Sequence, residues 1–143
     1  MVLGITQCAF AQQEPAAVKQ AINTLFDGMR KGDSTMLRSV FAKTMVLQSI
    51  SNKADGTPVL AVEKADDFVK AVGTPHKGTW DERIVFDAIK IDGDLASVWA
   101  PYKFYLDDKF SHCGVDVFQL MKTATGWKII YIVDTRRTGN CVE

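Results

Sequence analysis

Three residues in the second half of the chain could carry acid–base chemistry: Tyr102, His112 and Asp116. A histidine can act as a general base or a hydrogen-bond donor because its pKa lies near neutrality. In a catalytic site, Tyr102 would orient the ligand and Asp116 would serve as a second acid or base. The alternative is structural: His112 would be a hydrogen-bonded sheet residue, and Asp116 the ion-pair partner of an arginine.

The spacing of these residues restricts how they can cooperate. His112 and Asp116 share one face of a strand-like segment but lie ~13 Å apart along it, so they cannot hydrogen-bond to each other. A catalytic pair must instead form across strands, where opposite Cβ atoms are roughly 5 Å apart. A turn at 107–109 places His112 opposite Phe104 and diagonal to Tyr102.

Aromatic side chains are predicted to line a pocket around these groups. Trp80 and Phe104 are expected in its wall. Trp99 belongs to the other face of its strand and would enter the pocket only through a bulge, which Pro101 makes feasible. Gly114 favours a bulge or a close approach by a ligand, or it marks a bend that a curved sheet needs.

An arginine is expected beside His112 in the next strand. It is Arg136 or Arg137, depending on the register of the last hairpin. Arg136 could hold a ligand carboxylate or phosphate, and the alternative is a surface ion pair with Asp134. Two histidines and two distant cysteines do not make a metal-ligand set, and no phosphate loop or cofactor motif is present. The sequence therefore predicts no metal and no cofactor.

The elements that would position these residues follow from hydrophobic periodicity. A single apolar stripe predicts a first helix, with Pro15 in its first turn and Gly32 at its end. Asp33 or Ser34 caps a short second helix. A third helix is predicted over 63–72. Strands are predicted over 44–51, 58–62, 80–91, 95–106, 110–121 and 127–135.

The order of these elements defines the fold class. Helices come first and long strands joined by hairpin-sized turns follow, which is the α+β pattern. We expect three helices packed on one face of a strongly curved antiparallel sheet that encloses a single pocket. The last strands are apolar on both faces, so a second copy of the chain is expected to cover the outer face. Val117 or Ile129 would lie in that homodimer contact.

Length and charge exclude several classes of protein. A chain of 143 residues is expected to form one domain with its own core. The 17 basic and 17 acidic residues balance, so there is no basic field for a nucleic acid. No apolar run is long enough to span a bilayer.

The N-terminus differs in composition from the rest. Residues 1–11 are apolar and uncharged and end in Ala9-Phe10-Ala11, which fits a signal-peptidase site. We interpret them as the remnant of a secretory signal, followed by a single domain over 12–143 in a periplasmic or secreted protein. The alternatives are a frayed apolar terminus and a lipoprotein acylated at Cys8, although Gln7 stands where a lipobox has a small residue.

The cysteine count supports a disulfide after cleavage. Cys8 would leave with the signal, and Cys113 and Cys141 would remain. An even number of cysteines in an exported chain suggests one disulfide between them, and two free thiols are the alternative.

Several segments resemble a known superfamily. These are Trp99-Ala100-Pro101-Tyr102, the stretch from Phe110 to Phe118 with its His-Cys-Gly-x-Asp-x-Phe pattern, and Gly126-Trp127-Lys128-Ile129 leading to Arg136 and Arg137. With the long first helix and the meander, they resemble the nuclear transport factor 2-like superfamily over residues 15–141. The most similar branch is the one named putative lumazine-binding, near the SnoaL-like cyclases and ketosteroid isomerases.

The resemblance implies a cone-shaped, cystatin-like fold with a pocket between sheet and helices, and frequent dimers through the convex sheet face. It does not imply one function, because the superfamily includes isomerases, dehydratases, cyclases and binding modules. We expect an exported, non-catalytic domain that binds a small apolar or aromatic ligand or serves association. The alternatives are a cofactor-free lyase or isomerase using His112 with Tyr102, and a structural dimer with a collapsed pocket.

Overall fold

The structure is a computed structural model that describes residues 6–142, with side chains from residue 13 onward. Within this range the chain forms three helices and seven strands. In chain order they are α1 (Thr6–Lys31), α2 (Ser34–Val40), β1 (Phe41–Asn52), β2 (Pro58–Lys64), α3 (Ala65–Gly73), β3 (Trp80–Ile84), β4 (Ala88–Asp92), β5 (Leu95–Leu106), β6 (Lys109–Thr123) and β7 (Gly126–Thr135).

The helices form one layer over the sheet. The predicted stripe of α1 is buried, with Val18 and Ile22 fully inaccessible. The predicted start of α1 is wrong: the helix begins at Thr6, and Pro15 lies inside it rather than in its first turn. The carboxylate of Asp33 caps α2 by accepting hydrogen bonds from the backbone N–H groups of Thr35 and Met36. No helix in the described part of the chain is long and apolar enough to cross a membrane.

The sheet is mixed, with the strand order β2-β1-β7-β6-β5-β3 and with β4 also paired to β5. All pairs are antiparallel except β1 with β7, which are parallel. The α+β class with three helices on a curled sheet is confirmed, and the all-antiparallel pairing is corrected at this one ladder. β2 pairs with one edge of β1, and β7 pairs with the other edge.

The predicted strand over 80–91 is in fact two strands on the same neighbour. Ile84 of β3 pairs with Tyr102, and Ala88 of β4 pairs with Trp99. The three residues 85–87 therefore lie opposite only two residues of β5, Ala100 and Pro101. A proline has no N–H to donate to a ladder, so a break opposite it is favoured. The break leaves β3 paired with one end of β5 and β4 paired with the other.

The two faces of the sheet differ in environment. The inner face and the helices enclose the core, where Phe118, Leu120 and Ile129 are fully buried. The prediction that Ile129 could lie on the outer face is therefore wrong. The outer face, called here the open face, carries partly exposed apolar side chains on four strands: Val46, Leu60, Val62, Trp99, Val117 and Met121.

Candidate functional site

A cavity of 390 Å³ lies between the helices and the inner face of the sheet. Its walls are mostly apolar, and polar residues gather at the β3–β6–β7 side. Helices α1 and α3 supply one wall, and the seven-stranded sheet supplies the other through every strand except β4. The lining residues include Phe26, Trp80, Glu82, Phe104, His112, Asp116, Phe118, Asp134 and Arg136.

Asp134 is the centre of a hydrogen-bonded network in the cavity floor. Its side chain is buried, and Oδ2 accepts hydrogen bonds from Tyr102 Oη and Arg136 Nε, each at 2.9 Å. Oδ1 accepts from the hydroxyl of Ser49 on the parallel strand β1. A buried carboxylate needs such partners because an unpaired charge away from water is costly. The network therefore joins β1, β5 and β7 beneath the cavity.

Tyr102 lies below the cavity rather than in its wall. Its hydroxyl is within 2.9 Å of both Asp134 Oδ2 and the carbonyl oxygen of Thr135. Burial raises the pKa of Tyr102, and the neighbouring charges of Asp134 and Glu82 raise it further. The predicted role of Tyr102 in orienting a ligand is corrected: its hydroxyl holds Asp134 in place and stays protonated.

Gly114 allows this arrangement to form. A Cβ atom built on Gly114 would lie 1.7 Å from the carbonyl oxygen of Thr135, the same oxygen that faces the Tyr102 hydroxyl. The close approach predicted at this glycine therefore occurs, but the approaching group is the chain's own backbone. Next to it, Val115 N–H donates to the Thr135 hydroxyl at 3.1 Å.

Asp116 and Glu82 form a pair of carboxyl groups at the polar end of the cavity. Asp116 is 4% exposed, and its Oδ2 has no hydrogen-bond partner among the described residues. Burial raises the pKa of Asp116 well above its usual range, and the adjacent Glu82 raises it further. Burial likewise raises the pKa of Glu82, to about 7. Two carboxyl groups in contact cannot both ionise readily, so the pair holds a proton at neutral pH.

His112 lies opposite Phe104, as the hairpin register predicted. Its ring stacks on Phe104 with centroids 4.9 Å apart and meets Tyr102 edge-on at 5.8 Å. Nδ1 lies 3.0 Å from the Ser111 hydroxyl. Burial lowers the pKa of His112, and the charge of Arg136 lowers it further, so the imidazole is neutral at pH 7. A neutral imidazole in a cavity wall can accept a proton.

The remaining predicted pocket residues divide between the two faces. Trp80, Phe104 and Arg136 line the cavity. Trp99 does not: it lies on the open face and is 49% exposed. The prediction for Trp99 is wrong because the β5–β6 register runs without a bulge from Leu95 to Phe104.

Glu82 is the cavity residue that the sequence reasoning missed. It lies in a segment predicted as strand, two positions after Trp80, so both side chains share a face. The sequence did contain a signal for Glu82: it is an acidic residue on the same strand face as Trp80, which was predicted to line the pocket. Asp134 was considered only as a surface partner of arginine, although it is buried. Within residues 6–142, the acidic and histidine side chains form no cluster suited to a metal ion.

The cysteines predicted to pair lie together at the edge of the site. Cys113 and Cys141 are bonded in the structure, with Cα atoms 5.8 Å apart. Cys113 follows His112 directly and is fully buried. The bond therefore attaches the C-terminal tail to the strand that carries His112 and Asp116.

Comparison with solved structures gives the fold independently. An NTF2-like protein of unknown function from Shewanella baltica is similar, at 16% identity and TM-score 0.64, over 95% of this chain and all of that one. A cystatin-like domain from Nostoc punctiforme is 16% identical with TM-score 0.65, over 90% and 80% of the two chains. A putative dehydratase of the NTF2-like family from Streptomyces avermitilis is 12% identical with TM-score 0.66, over 90% and 99%.

Sequence comparison gives the family. No curated protein matches the chain. A family model described as "Putative lumazine-binding" matches residues 13–133, which include Glu82, His112 and Asp116. The chain therefore belongs to the family described as putative lumazine-binding, and it has the fold of the NTF2-like proteins.

Proposed function

We propose that the chain is a small-molecule-binding domain whose cavity takes a flat, largely apolar ligand with one polar edge. The observation that carries this proposal is the cavity itself, 390 Å³ with apolar walls and a polar end at Asp116 and Glu82. Its volume lies within the roughly 300–1,000 Å³ of small-molecule sites. A purely structural dimer with a collapsed pocket would have no use for buried carboxyl groups facing such a space.

Aromatic side chains favour a ring as the ligand. Phe104 and His112 stack on each other, and Trp80 stacks with His76 at 4.2 Å on the same side of the cavity. Aromatic walls bind flat rings well because offset and edge contacts add to area burial. The family name suggests lumazine, a flat heterocycle, as the first compound to test.

Binding can be followed through the fluorescence of Trp80, which lines the cavity. We expect lumazine or 2-naphthol to change the tryptophan emission of the protein. The change should disappear in Trp80→Phe and persist in Trp99→Phe, because Trp99 lies on the open face. Calorimetry supplies the affinity. Absence of binding of both compounds at millimolar concentration would contradict the proposal, as would an equal loss of signal in the two variants.

Acid–base catalysis is the second candidate function. It is favoured by the neutral His112 and the protonated carboxyl pair in one cavity, which provide an acceptor and a source of protons. The similarity to a putative dehydratase adds support. Because Tyr102 is engaged with Asp134, the acid in this version is the Glu82–Asp116 pair rather than Tyr102. Turnover lost in His112→Ala, with ligand binding retained, would favour catalysis over binding alone.

We further propose that a second copy of the chain covers the open face. The proposal is supported by its exposed apolar side chains, among them Leu60 at 55% and Val62 at 69% exposed. Replacing Val117 by lysine should convert a dimer into a monomer in light scattering. Asn23→Lys, on the exposed side of α1, is the control and should leave the dimer intact. A monomeric parent protein at high concentration would contradict this proposal.

Export to an oxidising compartment is proposed from the disulfide and the Ala9-Phe10-Ala11 motif. In the native host, with the full upstream reading frame, the mature protein should begin at Gln12. Its intact mass should rise by two hydrogen masses on reduction, because Cys113 and Cys141 are joined. Recovery of unprocessed protein with both thiols free to react with a maleimide would oppose both parts of the proposal.

A further inference from the structure

One oxygen in the cavity lacks a partner that its environment demands. Asp116 is 4% exposed, and its Oδ2 forms no hydrogen bond within the described part of the chain. Buried polar atoms are nearly always paired, because the water they lose must be replaced by another hydrogen bond. Since Asp116 also lines the cavity, the missing partner can reach it from there.

The chemistry of the pair defines what kind of partner is missing. Asp116 is buried more deeply than Glu82, and the two carboxyl groups are neighbours in the cavity wall. Because burial disfavours the charged form, Asp116 is the member of the pair that stays protonated. The other oxygen of a neutral carboxyl group is a carbonyl-type acceptor. Oδ2 therefore needs a donor, not a cation and not a second acceptor.

Two neighbouring hydroxyl groups and the Arg136 Nε donor are already engaged. The Tyr102 hydroxyl faces Asp134 and the Thr135 carbonyl, and Arg136 Nε donates to Asp134. The Ser111 hydroxyl is paired with His112. The structure therefore supplies no donor for Oδ2 from these side chains.

We propose that Asp116 Oδ2 is the specificity determinant of the cavity and selects ring compounds that carry an O–H or N–H donor on one edge. This inference rests on the proposed function, because it concerns a ligand in the same cavity. The ring would lie among the apolar side chains next to Asp116, which include Phe26 and Phe118, and its donor would point toward β6. Compounds of the same shape that lack the donor would leave Oδ2 unpaired and bind more weakly.

The test uses a matched pair of probes, 2-naphthol and 2-methoxynaphthalene, which share a ring system and differ in the hydroxyl hydrogen. Calorimetry on the parent protein should give about a tenfold tighter Kd for 2-naphthol, the usual effect of one hydrogen bond. Equal affinities would overturn this inference and leave the proposed function standing. Failure of both probes to bind would overturn the proposed function and this inference with it.

Two substitutions separate hydrogen bonding from a steric effect of the methyl group. In Asp116→Asn the amide N–H can donate to Glu82 while the amide oxygen replaces Oδ2, so the preference for 2-naphthol should remain. In Asp116→Leu the acceptor is gone, so the two probes should bind alike. A preference that persists in Asp116→Leu would place the selection elsewhere and refute the proposal. If Asp116→Leu does not fold, the test rests on Asp116→Asn. Loss of the preference for 2-naphthol in Asp116→Asn would contradict the proposal, because the amide oxygen is a neutral acceptor like Oδ2.

Discussion

Replacing Gly114 by alanine should destabilise the protein by about 3 kcal/mol or more, one of the largest effects expected of a single methyl group. The added Cβ would lie 1.7 Å from the carbonyl oxygen of Thr135 and 2.7 Å from its carbonyl carbon. Backbone atoms cannot rotate away as a flexible side chain can. To accommodate the methyl group, β7 must move from β6, and the network at Asp134 moves with it.

Urea unfolding followed by tryptophan fluorescence measures this effect. Gly139→Ala is the matched control, because a Cβ there meets no atom within 4 Å and should change stability by less than about 0.5 kcal/mol. A Gly114→Ala protein whose free energy of unfolding lies within about 1 kcal/mol of the parental value would mean that the two strands are not this close in solution.

The part of the site that could be predicted depends on short-range geometry. The turn between β5 and β6 is local, and it correctly placed His112 opposite Phe104. The hairpin of β6 and β7 was ambiguous because a single bulge decides it. That bulge leaves Ile130 without a partner, and beyond it Asp116 lies opposite Asp134. The one-residue shift directs Arg136 rather than Arg137 to the cavity.

The features that could not be predicted depend on long-range pairing. The parallel ladder of β1 with β7 joins segments about 85 residues apart, and it brings Ser49 to Asp134. Glu82 meets Asp116 only because β3 pairs with the C-terminal half of β5, which in turn pairs with β6. Neither contact has a signature in local periodicity, which is why the acidic pair was missed while the strands themselves were found.

The acidic pair should also make the protein less stable as the pH rises from 4.5 to 7. Glu82 has an ordinary pKa of 4.5 when unfolded and a pKa of about 7 in the folded state. Between these values the folded state binds more protons than the unfolded state, so stability falls with pH and then levels off. A difference of this size corresponds to about 3 kcal/mol. Asp116, whose pKa is also raised, acts in the same direction.

Other groups act with the opposite sign but in a different pH range. Glu14 accepts hydrogen bonds from Lys122 and Trp127, which lower its pKa, and the backbone N–H of Thr57 lowers that of Asp55. The stability that such groups contribute is lost only as the pH falls below their ordinary values of 4.5 and 3.8. Above pH 4.5 the slope should therefore be set by groups with raised pKa values, of which Glu82 is central.

Substitution of Glu82 by glutamine isolates its share of this slope. Glutamine keeps the shape and can still hydrogen-bond to Asp116, but it has no proton to release between pH 4.5 and 7. We expect Glu82→Gln to be more stable than the parent at pH 7.5 by up to about 3 kcal/mol and nearly equal to it at pH 4.5. Asp67→Asn, an exposed carboxyl on α3, is the control and should retain the parental slope. Urea unfolding at half-unit pH intervals measures all three proteins. If the parent is as stable at pH 7.5 as at pH 4.5, or if Glu82→Gln retains the full parental slope, Glu82 does not hold a proton in the folded state near neutral pH.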